Sequence, residues 1–542
     1  MIQRLSEELD YLDQISSFQD FPNILSKLRA ILHKTRDLLV QPSPGSEIQK
    51  ELNSFFNKVY EFRFALHYIF AKKTVHKLYQ AFYLKDKAEV LKLSRLLREV
   101  GTPDFQVPLW RLIKRARDEE LHDSLLITLG KIGNQEASNS VFKSLLSSPR
   151  KIYLDALVDL GLPDFDNKKR TSQYAAKGYM KKGSPEKNLK KFYGQFDRFC
   201  KKMEGVFTAL NLTEAEKQQY RLALIQSRGQ DRGDFVFRYR GLTFREGDVV
   251  LTSGLEPDSR FWGSLTNFPV SFSHVQIVTF SEDGFPLLAD LIHHIKLTHL
   301  EIALASTSDY SVLRFKDMDA EIRREINKVI QFYYKNRKRT KFDGNFDKST
   351  DFLFYCSEFV YHVFNRAKIP VRWVYSEFPT EQARENIRKL GLKRSHFITQ
   401  GDYLRMPDFS YIGCSYNSAI EAKITGGILA DIFMDHLKSD EMDFSKVPGK
   451  LWYRYLTKTS RLLSKGALKQ LSGDLAYTMC AYFLSFQKIY NRARRRADTE
   501  RLRLLRYSAF RRRMEEILHE ESQKIIRSVF HPKSKPGRIE ND

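Results

Sequence analysis

Ser271-Phe-Ser-His-Val-Gln-Ile-Val278 and, further down the chain, Tyr355-Cys-Ser-Glu-Phe-Val360 set the reading of this 542-residue sequence. The first run alternates as a strand does, with Val275 and Ile277 on one face and His274 and Gln276 on the other. The apolar pair takes the core, which leaves the imidazole on a cleft face. In the second run Phe359, Val360, Val363, Phe364 and Ala367 line one side of a helix, and Cys356 stands one turn before them on that side. A thiol at a helix N-terminus lies at the positive end of the dipole, which favours thiolate, and its backbone N–H can face a developing oxyanion. Histidine titrates near neutrality and is suited to take a thiol proton. The order is His before Cys.

A third group is needed to orient the imidazole. The strand-like run from Phe285 places Asp290 among apolar neighbours, where a carboxylate requires a partner. The ring N–H of His274 is one such partner; water at a sheet edge is the other. Glu358 has two readings as well, a first-turn carboxylate favouring the helix dipole or a substrate contact. Gln276 shares the His274 face and is a candidate substrate contact. A lone cysteine is usually a small buried apolar residue, so the constellation carries the argument rather than Cys356 alone. His293, His294 and His299 lie nearby without the Cys or carboxylate spacing of a zinc site, so no metal and no cofactor is expected.

Outside this region the pattern is helical. Residues 1–85 read as an N-terminal helical region, with apolar positions such as Ile24, Leu28, Ile31 and Leu32 at helical spacing. In 86–166 a weak repeat runs through Leu97-Arg-Glu-Val-Gly101, Leu126-Ile-Thr-Leu-Gly130 and Leu157-Val-Asp-Leu-Gly161. Either these are short HEAT-like hairpins, each helix closed by its glycine, or three ordinary helices with glycine caps. Residues 167–232 read as a basic linker followed by helices, and 233–415 as an α+β domain of short β-rich runs. Residues 416–542 return to helix and end in an arginine-rich tail. Ten arginines fall in 491–513, beside Leu502, Leu505, Phe510, Met514, Ile517 and Leu518 at helical spacing. The tail either docks on anionic lipid or RNA, or packs its apolar stripe on the preceding helices with its arginines in water.

The motifs of 233–415 resemble a known family. Glu246-Gly-Asp-Val-Val-Leu-Thr-Ser-Gly254, Ser273-His-Val275, the strand ending at Asp290, Ile295-Lys-Leu-Thr-His-Leu300, Phe342-Asp-Gly-Asn-Phe-Asp347, Tyr355-Cys-Ser-Glu-Phe-Val360 and Phe397-Ile-Thr-Gln-Gly-Asp402 occur in its order. The family is the YiiX/YaeF-like permuted papain-fold cysteine hydrolases, relatives of the NlpC-type peptidases and of the lecithin:retinol acyltransferase family. Its circular permutation puts the His strand ahead of the Cys helix. The resemblance implies Cys356 as nucleophile, His274 as base and Asp290 as orienting residue, a thiol protease or amidase triad. It further implies peptide, cell-wall peptide or acyl-lipid substrates. The chain departs from the family at two places. Gln276 stands where the family commonly has a small residue, and Asp290 is shorter than the usual Glu.

Composition bounds the rest. Hydrophobic residues at 42% exclude a disordered chain, while Lys and Arg outnumber acidic residues by 90 to 66, giving +24 and favouring polyanionic partners. The four cysteines, Cys200, Cys356, Cys414 and Cys480, show neither a disulfide framework nor a metal motif. No signal peptide and no apolar run long enough to cross a bilayer is read, so the expectation is a cytoplasmic protein, able to lie on a membrane surface. Two functions follow from different classes. One is a cysteine-dependent hydrolase or acyltransferase working through an acyl-enzyme. The alternative is a catalytically inactive papain-like scaffold that binds a partner or polyanion through helical repeats and basic tail.

Overall fold

Phenylalanine and tyrosine recurring along residues 55–70 give one long helix two jobs, bracing a helical array at one end and a sheet at the other. The computed structural model describes residues 7, 21–40, 46–161, 163, 185–225, 230–231, 234–253, 272–281, 284–291, 294–305, 307–342, 352–378, 380–381, 384–385, 396–416, 420–438, 488–497, 499–500 and 507–530. The expectations placed on the 167–184 linker, on Asp343–Asp347 of the fifth family motif and on Cys480 lie outside these. Helices α1 (Phe21–Val40) and α2 (Ser46–Tyr83) pack together, and Leu28, Leu32, Phe56 and Val59 are buried in the core they share. At 38 residues α2 is about 57 Å long, enough to reach both neighbours.

The repeat region consists of α3 (Lys87–Val100), α4 (Gln106–Ile113), α5 (Glu119–Ile132), α6 (Gln135–Ser147) and α7 (Lys151–Leu160), with α5 packed between α3 and α7. Asp86 and Asp118 cap α3 and α5 by accepting the Glu89 and Leu121 N–H groups. The closing glycines are Gly101, Gly133 and Gly161, whose N–H groups reach back to Leu97, Leu129 and Leu157 carbonyls. This corrects the sequence reading at the middle repeat: Gly130 lies inside α5, where a Cβ would stand 3.3 Å from the Ala156 Cα of α7. It serves close helix approach, and α5 runs on to Ile132. The true caps stack in series. A Cβ at Gly101 would meet Ile132 at 2.6 Å, and one at Gly133 would meet Leu160 at 2.5 Å. The Gly101 and Gly133 caps are therefore each covered by the last residue of the helix two further on, α5 and α7 in turn, a relationship that unrelated helices would not share, while Gly161 faces Glu301 of the sheet region. Helices α8 (Pro185–Ala209) and α9 (Glu214–Ile225) follow, and the capping box expected at Thr213 forms, with Glu216 accepting the Thr213 N–H at 3.0 Å.

The mixed helix–sheet region begins with β1 (Gln230–Asp231), β2 (Asp234–Tyr239) and β3 (Leu242–Arg245), which form a small antiparallel sheet. Six antiparallel strands then make the main sheet in the order β13-β8-β4-β5-β6-β7: β4 (Val249–Ser253), β5 (His274–Phe280), β6 (Pro286–Leu291), β7 (Ile295–His299), β8 (Asp309–Phe315) and β13 (Phe409–Tyr416). Short helix α10 (Leu300–Ala305) joins β7 to β8. Helices α11 (Ala320–Lys335) and α12 (Cys356–Arg366) pack on the sheet through Ile326, Ile330, Phe359 and Val363. Two-residue pairs β9 (Lys341–Phe342) with β10 (Leu353–Phe354) and β11 (Ser376–Glu377) with β12 (His396–Phe397) flank them, and α13 (Gln400–Arg405) precedes β13.

The C-terminal helices are built onto this frame. Within α14 (Ile420–Lys438), Lys423 is wholly buried, ion-paired to Asp309 of β8 and 4.3 Å from the Tyr60 ring centre of α2. Tyr60 donates to the same carboxylate at 2.8 Å, so one buried charge cluster joins α2, the sheet and α14. After α15 (488–497), α16 (Tyr507–Phe530) buries Phe510, Met514, Ile517 and Leu518, and it packs on α14 and α2. Two of its arginines are engaged: Arg511 pairs with buried Glu61, and Arg513 with Glu500 and Glu516. From Phe510 to Leu518 the stripe thus packs inward as one of the two tail readings expects, with Arg511 and Arg513 ion-paired to glutamates rather than simply hydrated, while Leu502 and Leu505 lie outside the described residues. No helix among the described residues is long and apolar enough to cross a membrane.

Candidate active site

His274 is the first residue of β5, and the way that strand pairs creates the site. Val278 donates to the Asp248 carbonyl and accepts from Gly247, so its backbone faces β4. By alternation Ile277 and Val275 turn theirs toward β6. The β5–β6 ladder, however, ends at the pair Ile277↔Ala289. The Val275 N–H is left over, and it donates to the Cys356 sulfur. A splayed strand pair thus supplies a backbone donor where the thiol sits.

Cys356 opens α12, with Tyr355 as the N-cap, so the thiol occupies the position expected for it. His274 bridges the two other members of the constellation. Its Nε2 is hydrogen-bonded to Asp290 Oδ1 on β6, and the ring also hydrogen-bonds the Cys356 sulfur, for which Nδ1 remains. The three residues named from the sequence converge. The His274 side chain stays 22% exposed and Asp290 11%, so the imidazole is the part of the site that meets the outside.

The electrostatics favour an ion pair. Burial alone would lower the His274 pKa, but the Asp290 carboxylate and the Cys356 thiolate outweigh it and hold it well above 6.5. Burial pushes the Cys356 thiol up, yet the imidazolium, the Val275 N–H and the Ser357 hydroxyl bring it below its ordinary 9.0. Asp290 is likewise disfavoured as an anion by burial, and His274, Lys296 and the Gln276 amide lower it below 3.8. Because His274 is raised, its contribution to stability is complete below 6.5 and fades as pH rises through its folded pKa. Cys356 and Asp290 are depressed, so theirs is complete above 9.0 and 3.8 and fades as pH falls through the folded values. The charged pair occupies the window between the lowered thiol and the raised imidazole.

Gln276 lies where the alternation places it, on the His274 face, and its amide adds to the influences that lower the Asp290 pKa. Its Oε1 is buried and accepts no hydrogen bond among the described residues. Glu358 is buried in the first turn of α12. His293 lies outside the described residues, and among these, His294 and His299 included, no cluster of three His, Cys, Asp or Glu suited to a metal occurs.

One residue at the thiol carries no role in the sequence reading. Gln400, first residue of α13, donates through Nε2 to the Ser273 carbonyl at 3.0 Å, and the same nitrogen lies 3.8 Å from the Cys356 sulfur. It is held firmly. Asp402 closes a capping box on Thr399, accepting from its N–H at 2.7 Å, and takes further bonds from Ser376 and Arg405. Tyr403 donates to the Ser357 carbonyl at 2.6 Å, and Tyr355 accepts the Ile398 N–H at 2.9 Å, which ties α13 to the start of α12. The Thr399-Gln-Gly-Asp402 box was the available signal, since a box fixes the residue it encloses. Neither family models, nor curated proteins, nor solved structures yield a match to this chain.

Proposed function

We propose that the chain is a cysteine-dependent hydrolase of amide or ester bonds on a permuted papain-like, NlpC-type domain. The observation that carries this is His274 held between Asp290 and Cys356, with the backbone N–H of Val275 also donating to the sulfur. A buried structural cysteine has no need of an imidazole whose second nitrogen is fixed by a carboxylate.

In this reading the Cys356 thiolate attacks the substrate carbonyl, forming a C–S bond while the carbonyl electrons move to oxygen. The Gln400 Nε2 and the Cys356 backbone N–H at the helix start are the donors for that oxyanion. Collapse breaks the C–N or C–O bond, and the His274 imidazolium gives its proton to the departing amine or alkoxide. The neutral imidazole then deprotonates water, which attacks the thioester. Its collapse releases the acid and restores thiolate and imidazolium. An acyl acceptor in place of water gives acyl transfer by the same steps. Peptide, cell-wall peptide and acyl-lipid carbonyls are the substrate classes. The test is turnover of p-nitrophenyl acyl esters and peptide anilides by wild type and by Cys356→Ala. Turnover in wild type alone supports the reading, and equal turnover in both overturns it.

A further inference from the structure

The chain reverses direction immediately after α2 and leaves apolar side chains in water. Lys85 takes the left-handed conformation there, with φ at 60°. The turn presents Tyr83 at 56% and Leu84 at 80% exposure, and Val107, at the start of α4, is exposed by 45%. These belong to one tip of the molecule: Tyr79 of α2 donates to the Pro108 carbonyl at 2.8 Å, and Arg115 hydrogen-bonds the Tyr83 hydroxyl. Isolated exposed apolar residues are ordinary on a protein surface, but a cluster rimmed by charge marks an interface.

The rim is basic. Arg111, Lys114 and Arg115 are exposed on or just beyond α4, and Arg111 and Arg115 both act on the Tyr79 hydroxyl. The Lys114 ammonium lies 5.7 Å from the Trp110 ring centre. Carboxylates that follow in sequence are committed elsewhere: Asp86 caps α3, and Asp118 caps α5 and pairs with Lys87. Protruding leucine and tyrosine, an indole at their flank and unopposed cations are the chemistry of a headgroup boundary, where apolar tips enter the acyl edge and cations meet anionic lipid.

We infer that this tip, built from the end of α2 and from α4, docks the protein on an anionic lipid surface. Nucleic acid fits it less well. The Tyr83 ring already has Arg115 at 5.9 Å, Tyr79 at 6.2 Å and Phe82 at 5.8 Å, so it is no open stacking platform, and Leu84 and Val107 offer nothing to a base. The α16 tail fits less well still, because Phe510, Met514, Ile517 and Leu518 are buried and Arg511 and Arg513 are ion-paired. The inference does not depend on chemistry at Cys356.

The experiment is sedimentation of the full chain with phosphatidylcholine vesicles, with and without phosphatidylserine, alongside single-stranded RNA binding. Wild type is expected to bind only the phosphatidylserine vesicles. Leu84→Ser with Val107→Ser should weaken that by about tenfold, and Arg111→Glu with Lys114→Glu by at least about tenfold. All four positions are exposed, so unchanged thermal melts should accompany the loss. Absence of vesicle binding by wild type overturns the inference. So does vesicle binding that both double variants retain, or RNA binding in place of vesicle binding.

Discussion

His274 Nε2 and Asp290 Oδ1 are hydrogen-bonded across β5 and β6, at the end of the sheet where the two strands cease to pair. The bond fixes the tautomer, sending the remaining nitrogen to Cys356. The Asp290 charge is the largest influence raising the His274 pKa. In Asp290→Asn the imidazolium loses that support, so the alkaline limb of kcat/KM should move to lower pH, toward 6.5. Activity at neutral pH should fall by about 10²- to 10⁴-fold. An alkaline limb that stays in place would separate Asp290 from the histidine's proton.

Gln400 is expected to matter only when a carbonyl oxygen becomes charged. Gln400→Ala should lower kcat by about 10²- to 10³-fold with little change in KM. Its rate of alkylation by iodoacetamide should remain near wild type, because that reaction forms no oxyanion. Parallel loss of both would instead make Gln400 a support for the thiolate.

The Gln276 amide is among the groups that keep the Asp290 carboxyl below 3.8. Gln276→Leu keeps the bulk and removes the donor, so Asp290 should protonate at higher pH and the acid limb of activity should shift upward. A pure substrate contact would raise KM and leave that limb alone, and pH profiles of wild type and Gln276→Leu distinguish these.

The chemistry was more legible than its frame. Alternation in Val275-Gln276-Ile277 and the helical face after Cys356 are short-range patterns, so His274, Gln276 and Cys356 could be placed on their elements from sequence. Asp290 could be named because an apolar strand leaves a carboxylate few partners. Pairing distance was not legible: nothing in the residues says that β5 pairs with β6 only from Ile277 onward, and the Val275 donor follows from that alone. Gln400 was hidden for a related reason, since its approach to the sulfur depends on Tyr403 and Tyr355 docking α13 on α12. Within the repeats, glycine at 130 looked like a stop because a stop and a close helix contact need the same missing Cβ.

The buried cluster at Lys423 supports a stability prediction. Lys423→Met leaves Asp309 charged and buried without its ammonium partner, Tyr60, Ser253 and Ser308 being among the donors that stay. A loss of about 3–5 kcal/mol is expected, read as a lower urea midpoint. Adding Asp309→Asn should recover much of it, because the double variant no longer buries an unpaired charge. Additive losses would show that Lys423 acts mainly by packing against Tyr60 and Phe272.

The most direct test of the central claim is labelling by a thiol-reactive acyl probe across the four cysteine-to-alanine variants. Cys356→Ala should abolish labelling, while Cys200→Ala, Cys414→Ala and Cys480→Ala leave it intact. Equal labelling of the Cys356 variant and wild type would contradict the assignment of Cys356 as nucleophile, and with it the hydrolase.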